Sequence, residues 1–450
     1  MITRFLGIQY LWIDSLCIIQ DSAEDWNREA ATMGSVYCNA TVTIAADGAA
    51  NGKGGCFRDL AGHGNTLALD CTAPDGTQTK VFVRPCVSST NEELQFDEIC
   101  HSFSQHGPQS SLDNRAWVLQ ERLLSRQILH YTNLELAWEC DITHHCECSL
   151  STKASNFRHT VLAGDLKKTL QRPRQEHSKD LATSRESPFD WALIVQNFTA
   201  RSLTQPRDRL PALSGMAELR SLLTGDEYVC GLWKRNISKW LWWKPAESSH
   251  ESRRLEPYYA PTWSWASVTG SIWYQSSAWN GDDGVERFSL LQDVNIEVES
   301  ATSSKYAAAK SGSLAVTGGG LTPCHVSFGS THDPRPPKRP VMPLKHPELG
   351  AVVESKTGQR RIITWEPDVF FEEETPGSSS HLEVEHWSFE IEDGSRLFLF
   401  PTIRLVGVRG LVLEPVVGSA GEYRRVGSFW DSAEEFGDLL EPDKEKLVIV

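Results

Sequence analysis

The stretch Tyr10–Asp47 constrains the fold more than any other part of this sequence. It opens with an unbroken apolar run, Tyr10–Ile13, which is typical of a strand that is buried on both faces in a parallel sheet. Ser22 then suits the N-cap of a helix. An apolar stripe at helical spacing follows, made of Trp26, Ala30, Met33 and Tyr37. Because Thr41–Ala45 is rich in β-branched residues, we predict a βαβ unit with two neighbouring parallel strands, and hence an α/β fold.

Asp14 and Ser15 end the first apolar run. Ligands of open parallel sheets bind beyond the carboxyl ends of the strands, so both residues are candidates for a binding pocket. An aspartate after a strand is also common turn chemistry, and Asp14 would then only cap the turn.

The composition excludes several classes of protein. A chain of 450 residues can form two or three domains, and its net charge of -15, without a basic stripe, argues against nucleic-acid binding. The 11 cysteines are scattered and odd in number, which favours reduced thiols in the cytoplasm over a disulfide framework. No apolar run has the length of a membrane span. We therefore expect a soluble cytoplasmic protein.

A second informative stretch is Arg115–Cys140. It predicts a short helix over Arg115–Leu124 with Asp113 or Asn114 as its cap. Two strands are predicted to follow, over Gln127–Tyr131 and Leu134–Trp138. Upstream, an alternating pattern around Asp75-Gly76 predicts a β-hairpin.

Glu121 is the candidate catalytic residue. It lies four residues after Trp117, so the two side chains share a helix face, and it precedes Arg122. Buried carboxylates are rare unless they are paired. A structural ion pair with Arg115 or Arg122 would lower the pKa of Glu121, whereas burial without such a pair would raise it and suit acid–base chemistry. The sequence leaves both interpretations open.

Two other kinds of chemistry have less support. A group of cysteines and histidines occupies nine positions: Cys140, His144, His145, Cys146 and Cys148. It lacks a second paired cluster and CxxC spacing, so we expect no metal. Cys17 with His130 would form a thiol hydrolase only if the fold brought them together.

The patterning divides the chain into four regions: 1–148 with the α/β pattern, a polar linker over 149–187, a helical and Trp-rich region over 188–283, and an irregular β-rich region over 284–450. Within the third region the patterns predict helices over Pro188–Arg201, Asp208–Leu223 and Leu232–Trp243, and a strand over Thr262–Ala266. The cluster Trp240, Trp242 and Trp243 is expected in the core.

Three separated blocks resemble fungal heterokaryon-incompatibility (HET) domain proteins. They read YLWIDSLCIIQDSAEDWNREAATMGSVYCNATVTIAA, then RAWVLQERLLSRQILHYTNLELAWEC, then RDRLPALSGMAEL with YVCGLW and APTWSWASVTG. The resemblance covers about residues 8–275. It implies a role in non-self recognition between fungal strains, in which the HET domain induces programmed cell death through a protein partner or self-association.

A typical HET domain begins with a further strand and helix ahead of the YLWIDS block. The resemblance therefore implies that this sequence lacks the N-terminal part of the domain. It also implies an open sheet edge beside Tyr10, where the first strand would pair.

HET domains also resemble the Toll/interleukin receptor (TIR) fold. In TIR enzymes a glutamate in a Trp-x-x-x-Glu context cleaves NAD, and Trp117–Glu121 resembles that context. The resemblance implies, as an alternative function, NAD cleavage by a TIR-like core. Glu121 would be the catalytic residue, NAD the substrate, and no cofactor would be needed. The candidate pocket would comprise Asp14, Ser15, Arg115, Trp117 and Arg122; an inactive fragment is the remaining alternative.

Overall fold

The fold is described from a computed structural model. The structure describes residues 1–57, 67–83, 110–132, 136–140, 144–146, 188–246, 249, 251–274, 288–300, 304–318, 320–327, 349–354, 360–372, 387–392, 394–404, 407–432 and 445–450. The chain divides into two units, Met1–Glu176 and His177–Val450, which are described separately. The predicted linker over 149–187 lies outside the described residues.

The first unit combines short helices, one long helix and a small sheet. Its described elements are α1 (Ile2–Phe5), α2 (Asp14–Cys17), α3 (Ala23–Asn39), β1 (Thr43–Ala45), β2 (Leu67–Thr72), β3 (Gln78–Val83), α4 (Ala116–Leu124), β4 (Gln127–Tyr131), β5 (Leu136–Cys140) and β6 (His144–Cys146). Strands β2 and β3 pair antiparallel and confirm the predicted hairpin. Near its turn, the Asp75 carboxylate accepts a hydrogen bond from the Thr77 backbone N–H at 2.9 Å.

The long helix α3 confirms the prediction made from its periodicity. The Ser22 side chain accepts a hydrogen bond from the Asp25 backbone N–H and caps the first turn. Ala30 and Met33 are each only 5% exposed, and Trp26 and Tyr37 on the same stripe are half-buried. The stripe packs toward helix α4, where the indole of Trp26 meets Trp117 edge-on at 6.2 Å.

The predicted first strand, Tyr10–Ile13, is wrong. The segment is not a strand, and Tyr10 is 82% exposed and Leu11 57% exposed. An unbroken apolar run becomes a central strand only if the fold covers both of its faces, and here neither residue is covered. The βαβ unit as predicted, and the open sheet edge beside Tyr10, are therefore not found.

Strand β1 instead pairs in parallel with β4, and the described sheet has the order β1-β4-β5-β6. Helix α4 runs directly into β4, as the sequence predicted. Strands β4, β5 and β6 are antiparallel to their neighbours, so β1 and β4 form the single parallel pair of this described sheet. The N-cap of α4 is Arg115, without a side-chain cap, rather than Asp113 or Asn114.

The second unit contains three described helices and sixteen described strands. The helices are α5 (Pro188–Thr199), α6 (Ser214–Thr224) and α7 (Ile237–Trp240). The strands are β7 (Tyr228–Val229), β8 (Leu232–Trp233), β9 (Trp243–Pro245), β10 (Ile272–Tyr274), β11 (Phe288–Ser289), β12 (Gln292–Ser300), β13 (Ala309–Gly318), β14 (Thr322–Ser327), β15 (Leu349–Glu354), β16 (Arg360–Pro367), β17 (Phe370–Glu372), β18 (Trp387–Phe389), β19 (Arg396–Arg404), β20 (Gly407–Pro415), β21 (Glu422–Ser432) and β22 (Glu445–Ile449).

Six of these strands close into a barrel. The ladder runs β19-β14-β15-β16-β21, and β20 pairs with both β19 and β21, so the ring has no free edge. Side chains from all six strands fill its interior, including Val353, Trp365, Leu399, Val412 and Phe429. The β-rich prediction for this half of the chain is confirmed. Local sequence patterns did not predict that the strands close into a barrel, because closure depends on pairing between strands far apart in the sequence.

Arg425 of β21 ties the Trp-rich segment to this barrel. Its guanidinium is fully buried and binds Asp368 through two nitrogens at 2.9 and 3.0 Å. It also donates to the carbonyl oxygens of Leu241 and Trp243 at 2.6 Å each and lies over the Trp243 ring. Trp240 and Trp243, at 2% and 0% exposed, lie in the core as predicted.

Two predicted elements of this unit are wrong. The predicted helix over Leu232–Trp243 is broken because Asn236 adopts the left-handed conformation, φ 59°, which asparagine tolerates. The predicted strand over Thr262–Ala266 is a turn, because the Ser264 side chain accepts a hydrogen bond from the Ala266 backbone N–H and caps a 3₁₀ helix over Trp265–Ser267.

None of the described helices combines the length and the apolar character that crossing a bilayer requires.

Candidate functional site

The Glu121 carboxylate lies where helices α3 and α4 meet. The Tyr37 hydroxyl of α3 donates a hydrogen bond to Glu121 Oε2 at 2.9 Å. The indole of Trp12 packs edge-on against the Tyr37 ring, with centroids 5.9 Å apart. The half-buried carboxylate is thus held by a phenol whose ring is itself fixed in place.

The surroundings favour the protonated form of Glu121. Burial is the largest effect and raises its pKa; the Tyr37 hydrogen bond opposes that rise, the charge of Asp14 adds to it, and the charge of Arg115 lowers it. Burial and the neighbouring Glu121 charge likewise raise the pKa of Tyr37, so its hydroxyl stays a donor. Among the described residues Glu121 forms no ion pair, so the interpretation of a structural pair with Arg115 or Arg122 gains no support.

The structure places the other candidate pocket residues in different surroundings. Asp14 is the first residue of α2, and its Oδ1 accepts a hydrogen bond from the Ser15 backbone N–H at 2.7 Å. This contact joins adjacent residues, and the helix has no side-chain cap at its N-terminus. The charge of Asp14 also acts on Glu121. Ser15 and Arg115 are exposed, and Trp117 faces Trp26 of α3.

Arg122 belongs to a second cluster of charged residues, the His130 cluster. Its members are Asp47, Asp113, Arg122, His130 and Glu139. Arg122 contacts the Glu139 carboxylate at 2.9 Å and Asp113 at 3.6 Å, while the Glu139 side chain is 0% exposed. Residues 121 and 122 are adjacent on α4, but their side chains enter different polar sites.

His130 lies between two carboxylates of this cluster. Its Nδ1 lies 2.6 Å from Asp47 Oδ2 and its Nε2 lies 3.3 Å from Glu139 Oε2. The Ser110 hydroxyl donates a hydrogen bond to the other Asp47 carboxylate oxygen at 2.9 Å and fixes that side chain. Burial opposes protonation of His130, but the hydrogen bonds and charges of Asp47 and Glu139 outweigh it and raise the His130 pKa. Burial also opposes the charge of Arg122, and Glu139, Asp113 and Asp47 together raise its pKa.

The structure shows no contact that supports the thiol hydrolase hypothesis. The ring nitrogens of His130 lie 2.6 and 3.3 Å from carboxylate oxygens, and Cys17 is an exposed residue of α2. No group of three or more candidate metal ligands occurs within the described ranges. Cys148, which belonged to the Cys/His group in the sequence, lies outside them.

Sequence reasoning missed Tyr37, Asp47 and Glu139 as members of polar sites. One available signal was the alternation of the strands. The inward positions of β4 are Ile128 and His130, and Glu139 takes an inward position of β5. An ionisable residue at an inward strand position indicates a buried partner.

The geometry thus defines a mixed α/β unit with two adjacent polar sites, and part of this unit matches a known family. Residues 1–121 match the family described as Heterokaryon incompatibility protein (HET). The resemblance inferred from the sequence is confirmed for this segment, and the match ends at Glu121. Comparisons with curated proteins and with solved structures gave no match.

Proposed function

We propose that this chain is a heterokaryon-incompatibility protein that acts in non-self recognition in the cytoplasm and induces programmed cell death through its HET region. Its mode of action is association with a protein partner or with itself. The family match over residues 1–121 supports the general role. A patch of exposed apolar side chains in the same segment supports the mode of action.

We use the name apolar patch for six exposed apolar residues that are close in sequence: Phe5, Leu6, Tyr10, Leu11, Leu16 and Ile19. Leu16 is 79% exposed and Ile19 59%, although soluble proteins normally leave such residues exposed singly. The backbone beneath them is anchored, because Asp25 of α3 accepts a hydrogen bond from the Ile19 N–H at 2.8 Å. An anchored backbone with outward apolar side chains is suited to binding another protein surface.

Substitution of Leu16 tests this proposal. Leu16→Glu places a charge in the patch without removing a buried side chain, so the fold should persist while killing of fungal cells that express the chain is lost. Leu222→Glu is the matched control, since Leu222 is 70% exposed on α6 in the other unit. Cell death and the mass in solution by light scattering are the readouts. Equal killing by both variants would contradict association through this patch.

The second candidate function is NAD cleavage by Glu121. The observation that favours it is the half-buried Glu121 carboxylate, which has a hydrogen bond from Tyr37, no ion pair among the described residues and a raised pKa. A carboxylate so placed could stabilise positive charge that develops on a ribose during loss of nicotinamide. Asp14 and Arg115 would contribute charge beside it.

Glu121→Gln distinguishes the two candidates, because it keeps the shape of the side chain and removes the charge. An enzyme would lose both killing and the fall of intracellular NAD. Glu24→Gln, at an exposed position in the first turn of α3, is the control. Killing at the wild-type level by Glu121→Gln, with intracellular NAD undiminished, would exclude the enzymatic function and leave association.

A further inference from the structure

The His130 cluster holds a proton that the HET-type role does not require. His130 is 3% exposed, and each of its ring nitrogens lies beside a carboxylate oxygen, at 2.6 Å from Asp47 and 3.3 Å from Glu139. A neutral imidazole has one N–H and one lone pair. A neutral ring that donates its Nδ1–H to Asp47 would leave an uncharged Nε2 at 3.3 Å from the Glu139 carboxylate, without the attraction that a protonated ring provides.

The Arg122 guanidinium influences whether the Glu139 carboxyl group is ionised. It lies 2.9 Å from the same Glu139 Oε2 that faces His130. The positive guanidinium favours the ionised form of this carboxylate. An imidazolium then places its positive charge beside two carboxylates, at 2.6 Å from Asp47 and at an ion-pair distance of 3.3 Å from Glu139.

We propose that His130 is a proton-dependent clamp, which as an imidazolium joins Asp47, beyond the end of β1, to Glu139 on β5, and which releases this junction when it loses its proton. Loss of the proton removes one positive charge from between the Asp47 and Glu139 carboxylates, whose side chains are 12% and 0% exposed. Repulsion among the carboxylates then loosens the β1-β4-β5 sheet.

The sign of the pH dependence follows from the raised pKa of His130. An unfolded histidine has a pKa of about 6.5, so the folded chain keeps a proton that the unfolded chain has released. The stabilisation is complete below about pH 6.5 and is lost as the pH rises through the folded pKa. Within that window the equilibrium constant for opening the sheet should rise by up to about tenfold per pH unit.

Nitrogen NMR of the full chain tests the protonation state. The chain has 14 histidines, so ring-¹⁵N-labelled protein is compared with the His130→Gln variant to assign the signal. We expect His130 to lose its second ring hydrogen at a pH above the value of about 6.5 that is typical of an unfolded histidine. The Asp47→Asn variant should shift the titration of this signal to lower pH, because one carboxylate partner is removed. A titration midpoint at or below about pH 6.5 would overturn the proposal.

Hydrogen exchange tests the clamp itself. Amide protection in β4, corrected for the intrinsic pH dependence of exchange, should fall by up to about tenfold per pH unit above pH 6.5 in the wild-type chain. His130→Gln should abolish that slope. His145→Gln, which alters an exposed histidine of β6 in the same sheet, should retain it. A wild-type slope of zero, or an equal slope in His130→Gln, would refute the clamp.

Discussion

Replacing Glu121 by glutamine distinguishes two possible roles of this residue. It is either a partner in a structural ion pair or a carboxylate whose charge is disfavoured by burial. Glutamine keeps the length of the side chain and an oxygen that can accept the hydrogen bond from the Tyr37 hydroxyl, at 2.9 Å in the wild-type protein. Only the charge is lost. The sign of the change in stability therefore reports whether the surroundings favour that charge.

The magnitude follows from the opposing contributions at this site. Burial disfavours the ionised carboxylate, and each pKa unit by which the folded value exceeds the unfolded one costs about 1.4 kcal/mol at neutral pH. Exchanging a charged for a neutral acceptor opposite Tyr37 loses about 1 kcal/mol. Because the pKa of Glu121 is raised on balance, the burial cost is the larger contribution. We expect the free energy of unfolding of Glu121→Gln at pH 7 to equal or exceed that of the wild type.

The dependence on pH provides an independent check. With its folded pKa raised, Glu121 destabilises the fold above that pKa and ceases to do so below its unfolded pKa of about 4.3. The difference between wild type and variant should therefore vanish as the pH falls toward 4. Glu121→Ala is the contrasting variant, because it leaves the Tyr37 hydroxyl without its acceptor and should cost about 1–3 kcal/mol.

Hydrogen exchange resolved to α3 and α4 measures these free energies within the full chain. Glu24→Gln serves as the control, since it removes an exposed charge from the first turn of α3 and should cost about 0.3–1 kcal/mol through the helix dipole. A loss of about 3–5 kcal/mol for Glu121→Gln, unchanged with pH, is the result for a broken buried ion pair and would refute this reasoning.

Two further substitutions, one in each unit, test interactions within that unit. Asp368→Asn removes the buried charge that binds Arg425 at 2.9 and 3.0 Å, and should cost about 3–5 kcal/mol in the free energy of unfolding of the second unit, measured with denaturant. Replacing both residues by leucine should recover most of that loss. Ser22→Ala removes the cap of α3 and should cost about 1 kcal/mol by exchange in its first turn, while Ser35→Ala, at an exposed position of the same helix, should change little.

Local signals in the sequence were sufficient where a single element determines the outcome. Helix α3 needs only its Ser22 cap and the 3.6-residue spacing of its apolar stripe, and both were legible. The strand Gln127–Tyr131 and the β-rich character of residues 284–450 were predicted from local patterns. Tyr10–Ile13 failed because the burial of an apolar run depends on what covers it, and covering elements lie elsewhere in the chain.

The sequence identified Glu121 as the candidate residue of the site, but it did not predict the residues that contact Glu121. Glu121 was identified through its spacing from Trp117, yet its hydrogen-bond donor, Tyr37, lies 84 positions earlier and had been interpreted only as part of an apolar stripe. Asp47 and His130 are likewise 83 positions apart. Contacts between residues so far apart in the sequence depend on the packing of α3 on α4 and on the parallel pairing of β1 with β4. Local sequence patterns predict neither of these.

The geometry of α4 explains why one short motif yields two unrelated polar sites. Successive helix residues project about 100° apart, so Glu121 and Arg122 cannot face the same surface. Glu121 faces α3 and meets Tyr37, whereas Arg122 faces the sheet and meets Glu139. The alternative of an ion pair between these adjacent residues is not realised, because each side chain has its own partner. A functional test of Glu121 must therefore leave Arg122 unchanged, because loss of the guanidinium would unbalance the buried Glu139 and abolish activity through the fold rather than through chemistry.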